Sequence, residues 1–128
     1  FARIGCAKRR CDSLMHLRAD IFVAAYLRRC GVEGAFAALR RRGSPEAGAI
    51  FVKLDCLDGR AALYGPAPQT KLAEREGVDR LWMRLHKDEW IDPADAEARI
   101  KKEISFDPDL WLIEVEDSKG RSFLDLAD

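Results

Sequence analysis

Two histidines, at positions 16 and 86, are all the imidazole in this chain of 128 residues, which leaves little from which to build a Ser-His-Asp or Cys-His nucleophilic centre. No Gly-x-Ser-x-Gly, glycine-rich phosphate loop or Cys-x-x-Cys pair occurs. The short motifs of acyl transfer, nucleotide binding and paired-cysteine metal sites are therefore missing, and no cofactor is indicated. The longest uninterrupted apolar run, Ile21 to Leu27, falls far short of the ~20 residues that a membrane-crossing helix needs. There is no internal repeat and no low-complexity tract.

What is present is an ordinary globular balance, 48% hydrophobic and 34% charged, in a length that suits one domain with its own core. The net charge is zero, but residues 1–42 carry 10 Lys/Arg against 3 Asp/Glu and the remainder 12 against 19. Such a +7/−7 split is neutralised inside a fold or between subunits, or it steers an acidic partner to one end. The four cysteines, at 6, 11, 30 and 56, fit a reduced cytoplasmic compartment. Residues 1–14 lack an amphipathic period and read as an extension outside the domain, with Met15 a candidate natural start. Cys6, Cys11 and His16 have no fourth ligand and no established metal spacing.

The domain centres on residues 49–65, which read as two strands joined by a type I′ turn at Asp58-Gly59. That turn pairs Leu57 with Arg60, Cys56 with Ala61, Leu54 with Leu63 and Val52 with Gly65. It puts Ile50, Val52, Leu54, Cys56, Ala61 and Leu63 on one face and Phe51, Lys53, Asp55, Ala62 and Tyr64 on the other. Residues 20–29 predict a helix, apolar nearly all round and so buried, with Arg28 and Arg29 at its dipole end and Gly31 ending it. Residues 35–42 predict the first strand of a three-stranded meander, and 66–79 a Pro-rich exit followed by a loop.

Alternation over 80–86 predicts a strand with Leu81, Met83 and Leu85 to one side and Trp82, Arg84 and His86 to the other. Asp92-Pro93 opens a helix to about Ser105 with an inward stripe of Ala96, Ile100 and Ile104. Its outward pairs are Asp95/Arg99 and Glu97/Lys101. Leu110 to Glu116 predicts a strand with Trp111, Ile113 and Val115 inward and Glu114 and Glu116 outward. The turn at 117–120 then leads to a short edge at 122–126. The expected fold is α+β: an antiparallel sheet of four to five strands with two helices mainly on one face.

Several of these segments, in order, are similar to one known family. Ala24-Ala25-Tyr26-Leu27-Arg28-Arg29, Arg41-Arg42-Gly43, Ala47 to Lys53, Leu63 to Gln69 and Phe106 to Asp117 together resemble the bacterial domain of unknown function 1491, over roughly residues 17 to 126. The resemblance implies a small bacterial cytoplasmic protein with no assigned activity, and it brings no catalytic residue with it.

Three surfaces compete as candidates. Pro108-Asp109 followed by Asp117-Ser118-Lys119 imitates a metal-dependent nuclease pattern, with Asp107, Asp109, Glu114, Glu116 and Lys119 as its residues. A solvated strand face and a turn explain the same residues. Arg40, Arg41 and Arg42, with Arg28 and Arg29, form the densest basic group and suit phosphate contacts to a nucleic acid. Pairing with Glu114 and Glu116 is their simpler destination. Phe51, Tyr64, Trp82 and Arg84 would share an open sheet face with the composition of a protein interface. The leading expectation is a non-enzymatic protein-binding or adaptor module that meets a protein partner or a second copy of itself. A small metal-dependent hydrolase or nuclease and a nucleic-acid binder are the alternatives.

Overall fold

Residues 18–68 and 80–127 are described by the computed structural model. The expected extension at residues 1–14, the Cys6, Cys11 and His16 group, and the loop at 70–79 lie outside them. In chain order the described elements are α1 (Ala19–Val32), β1 (Phe36–Arg41), β2 (Ile50–Asp55), β3 (Ala61–Pro66), β4 (Trp82–Arg84), α2 (Pro93–Phe106) and β5 (Trp111–Glu116). They make the expected α+β fold, a mostly antiparallel five-stranded sheet ordered β1-β5-β2-β3-β4 with two helices.

β1 is the strand expected at 35–42, yet it does not open a meander. β5 inserts between β1 and β2, antiparallel to the first and parallel to the second. Four consecutive apolar residues, Leu110 to Ile113, suit such an interior position, because a strand covered on both faces needs apolar side chains on both.

The hairpin of β2 and β3 forms one residue away from the expected register. Val52 lies opposite Tyr64, Leu54 opposite Ala62 and Asp55 opposite Ala61. The Cys56 amide donates to the Arg60 carbonyl across a three-residue loop, in which Leu57 (φ 67°) and Gly59 (φ 91°) both take left-handed backbone. Asp55 and Asp58 hold that loop by accepting from the amides of Leu57 and Arg60. A one-residue slip exchanges the faces of a strand. Ala62 and Tyr64 therefore join Ile50, Val52 and Leu54 on one side, while Leu63 joins Phe51 on the other. β3 is apolar on both faces, so alternation alone could not choose between the registers.

The helices take opposite faces of the sheet rather than one. α1 packs Ala19, Val23, Tyr26 and Cys30 against Val52, Tyr64, Trp111, Ile113 and Val115. α2 packs Ala96, Ile100 and Ile104 on the side of Phe51, Leu63, Leu110 and Leu112. Its start is as expected, with Asp92 accepting from the Ala94 amide and Pro93 at the first helical position. Its outward pairs differ, since Arg99 meets Glu103 and Glu97 reaches back to the sheet.

β4 shrinks to three residues, and it is Trp82 that turns inward, its indole donating to the Ile50 carbonyl, while Met83 is exposed. The segment at 122–126 does not return to β5. Leu126 bridges Trp82, and the Trp82 amide donates to the Asp125 carbonyl.

Candidate interaction surface

α1 is less enclosed than its composition suggests. Gly34 (φ 86°), not Gly31, follows its end, and the helix runs to Val32. Its first amides, Ala19 and Asp20, donate to the carbonyls of Glu46 and Pro45, so the 44–48 loop caps it from outside. One stripe, Ala19, Val23, Tyr26 and Cys30, is buried. The opposite stripe of Ile21, Ala24, Ala25 and Arg28 is exposed, with Ile21 half accessible at 50%.

Beside that stripe runs a groove of about 600 Å³ between α1 and β1, lined by Ile21, Ala24, Leu39, Arg28 and Arg42 and floored by Trp111. The Trp111 indole donates to the Ser44 carbonyl at 2.8 Å, and the Arg42 guanidinium stands 5.3 Å over its ring. Gly48 is required here, because a Cβ would overlap both the Trp111 ring and the Asp109 carbonyl. Asp20 pairs with Arg18. Among the described residues Arg28 and Arg42 have no carboxylate partner, so the groove is apolar with a positive rim.

β1 forms one edge of the sheet, and which of its backbone groups face outward follows from β5. The Trp111 and Asp117 amides donate to Ala49 and Asp55 on the β2 side, so the even-numbered residues of β5 face β1. Their partners, Phe36, Ala38 and Arg41, use their backbone groups in that ladder. Ala37 and Leu39 must then direct their N–H and C=O away from the sheet. Phe36 (61% accessible) and Leu39 (37%) lie along the same edge.

The sequence matches a family model described as "Protein of unknown function (DUF1491)" over residues 17–125. The chain belongs to the DUF1491 family. A crystal structure of a DUF1491 family protein from Caulobacter crescentus CB15 is 38% identical, with 86% of this chain and 94% of that one aligned and a TM-score of 0.70. The solution structure of protein Atu0922 from A. tumefaciens is 35% identical over 89% of this chain and 97% of its own, with a TM-score of 0.74. Curated proteins yield no match.

In this DUF1491 chain the aromatic face expected from the sequence does not exist. Phe51 is buried on the α2 side, and Tyr64 and Trp82 are buried on the α1 side. Arg84 stacks between Tyr64 and Trp90 at 5.4 and 5.5 Å. The one-residue slip and the second helix cover remove that surface.

The basic group is divided as well. Arg28, Arg29 and Arg42 are exposed on or beside α1, whereas Arg41 donates to the Pro108 carbonyl. Arg40 turns to the other face and grips Glu97 with two hydrogen bonds, 2.7 and 2.9 Å, and Glu114 with one at 3.1 Å. Lys53, only 5% accessible, completes that cluster at 2.6 Å from Glu97 and 3.6 Å from Glu114. Arg40 first, and then Lys53 against the opposing effect of burial, holds the Glu97 carboxyl down at about 2.

Glu114, one of the acidic-site candidates, is thus committed to tying α2 to the sheet. Asp107 ends α2 and accepts from the Asp109 amide. Asp107 and Asp109 precede β5, whereas Glu116 closes it and Lys119 lies in the turn beyond. Six strand residues, about 20 Å, separate the two groups, so no cleft gathers Asp109, Glu114 and Lys119. Among the described residues no three His, Cys, Asp or Glu side chains are placed to hold a metal ion.

His86 is used by the fold: its Nε2 accepts from the Leu63 amide, so Nδ1 carries the proton and donates to the Asp88 carbonyl. Cys30 and Cys56 are free and buried, and burial pushes both thiols up, away from the reactive thiolate. No described helix is long and apolar enough to cross a membrane. The residues that sequence reasoning missed are Ile21, Ala24 and Leu39. Their signal was α1 itself, which has more apolar residues than one buried stripe can use.

Proposed function

We propose that this DUF1491 chain is a non-enzymatic protein-binding module and that its working surface is the side formed by α1 and β1. The observation that carries this reading is the largely apolar outer stripe of α1 lying beside an edge strand that, among the described residues, has no partner on its outer side. A helix normally presents charge to water opposite its buried stripe, and α2 does so with Asp95, Lys101 and Lys102. Exposed apolar area next to a groove is the usual mark of a contact site. The occupant is a separate polypeptide rather than a second copy, because a copy would bring the cations Arg28 and Arg42 to a rim that already holds them. Its setting is the bacterial cytoplasm, in keeping with the sources of its relatives and with two free, buried thiols.

A photoreactive amino acid at Ala24 tests this in living cells, with the same substitution at Lys101 as the control surface. The expected result is an adduct with another protein from position 24 alone, and a monomeric mass for the purified chain. Adducts only between copies, or equal adducts from both positions, would overturn it.

A further inference from the structure

The two edges of the sheet are treated differently. β4 has its outer side occupied: the Trp82 amide donates to Asp125, and the Ala127 amide donates to the Trp82 carbonyl. β1 has no such cover among the described residues, and it lacks the proline or lysine that commonly blunts an exposed edge. Its arginines are gathered at one end, where a bulge between Leu39 and Arg41 interrupts the ladder. The regular part of the edge is therefore Phe36-Ala37-Ala38-Leu39.

We infer that the partner binds as an added β-strand, an extended segment of alternating apolar and acidic residues that pairs with the outward backbone groups of Ala37 and Leu39. This rests on the protein-binding reading above and specifies how that surface is used. The side chains of Ala37 and Leu39 point to the α1 side, so every second side chain of an added strand extends the layer beneath α1 and meets Ile21 and Ala24. Main-chain bonds to the edge supply affinity in this mode, and pockets for alternate side chains supply selectivity. The rim decides the charge: Arg28 and Arg42 favour carboxylates on that strand, while Asp20 is already engaged by Arg18. Towards the α2 side the edge offers little charge selectivity, since Arg40 is already held by Glu97 and Glu114.

The test uses the full chain labelled with ¹⁵N and two synthetic decapeptides, one alternating Val and Glu and one alternating Val and Lys. The Val-Glu peptide should slow amide exchange at Ala37 and Leu39 and bind at least tenfold more tightly than the Val-Lys peptide. The double variant Arg28→Glu/Arg42→Glu should reverse that preference. Ala37→Pro removes an outward N–H without touching the β5 ladder, so it should keep the fold and weaken the Val-Glu peptide at least tenfold. If that variant does not fold, the exchange data on the unmodified chain decide.

Equal binding of both peptides, no binding of either at millimolar concentration, or protection of Ala37 that rises with protein concentration alone would overturn the strand-addition mode. Peptide-induced shifts confined to α1, with Ala37 and Leu39 unprotected, would likewise replace it with a helix or loop lying in the groove. In that event adducts at Ala24 keep the protein-binding reading intact, whereas their absence removes the reading itself.

Discussion

Beneath α2 the sheet carries a charged network, and beneath α1 the packed side chains are apolar. On the first side Lys53, Arg40, Glu97 and Glu114 interlock; on the second, Trp111, Tyr64, Val52 and Ile113 meet Val23 and Tyr26. The outer surfaces are reversed. α2 turns Asp95, Lys101 and Lys102 to water, and α1 turns Ile21, Ala24 and Ala25. A helix with polar groups outside closes a structure, while a helix with exposed apolar residues on its outer stripe leaves room for a further layer. That difference directs attention to α1 and makes the α2 side an internal control for experiments on it.

The largest effect should come from the α1 side of the core. Trp111→Ala removes the groove floor and the bond to Ser44, and a loss of about 3–5 kcal/mol is expected; a urea titration measures it. On the α2 side, Glu97→Ala leaves Lys53 enclosed with only Glu114, at 3.6 Å. Because Glu97 is open to solvent on one side, the cost should fall below that of a fully enclosed pair, at about 1–3 kcal/mol. The double variant Lys53→Met/Glu97→Gln should recover most of it, since the stranded cation is gone. If it recovers nothing, the network contributes through shape rather than charge.

Acid provides a smaller, graded test of the same side. The folded Glu97 carboxyl titrates at about 2, below its unfolded value near 4.3. Its contribution to stability is therefore complete above the unfolded value and disappears as pH falls from about 4.5 towards 2. Glu97→Gln should flatten the acid limb of a stability profile. It should not abolish it, because the hydrogen bonds of Arg121 depress Asp117 in the same direction.

The smallest change in stability is expected where the proposed function lies. Ile21→Asp on the outer stripe of α1 should alter the unfolding free energy by no more than about 0.5 kcal/mol while removing the adducts formed at Ala24. A loss of several kcal/mol there would mean that this stripe is structural, and the contrast between the helices would vanish.

Much of the architecture could be read locally. Asp92-Pro93 announces α2, whose Ala96, Ile100 and Ile104 then turn inward as their spacing requires. Trp111, Ile113 and Val115 alternate inward along β5, and residues 35–42 contain a strand despite their helical composition. The candidate surface was less legible. The aromatic face depended on a two-residue turn, and Leu57 entering left-handed backbone lengthened the loop and exchanged the faces of β3. Sequence adjacency groups Arg40 with Arg41 and Arg42 near Arg28, yet strand alternation sends it to the other side of the sheet.

Taken alone, the order of residues determined where helices and strands form, which side chains are apolar enough to be enclosed, and the family to which the chain belongs. Those properties depend on spacing within a dozen residues, on caps and on turns. Only the tertiary structure decided that β5 lies between β1 and β2, that the helices part to opposite faces and that the outer stripe of α1 is uncovered among the described residues. The cause is that β2 and β5 are largely buried on both faces. When either face of a strand can be buried, the pattern along it no longer indicates which face meets which helix, and packing between distant segments makes the choice.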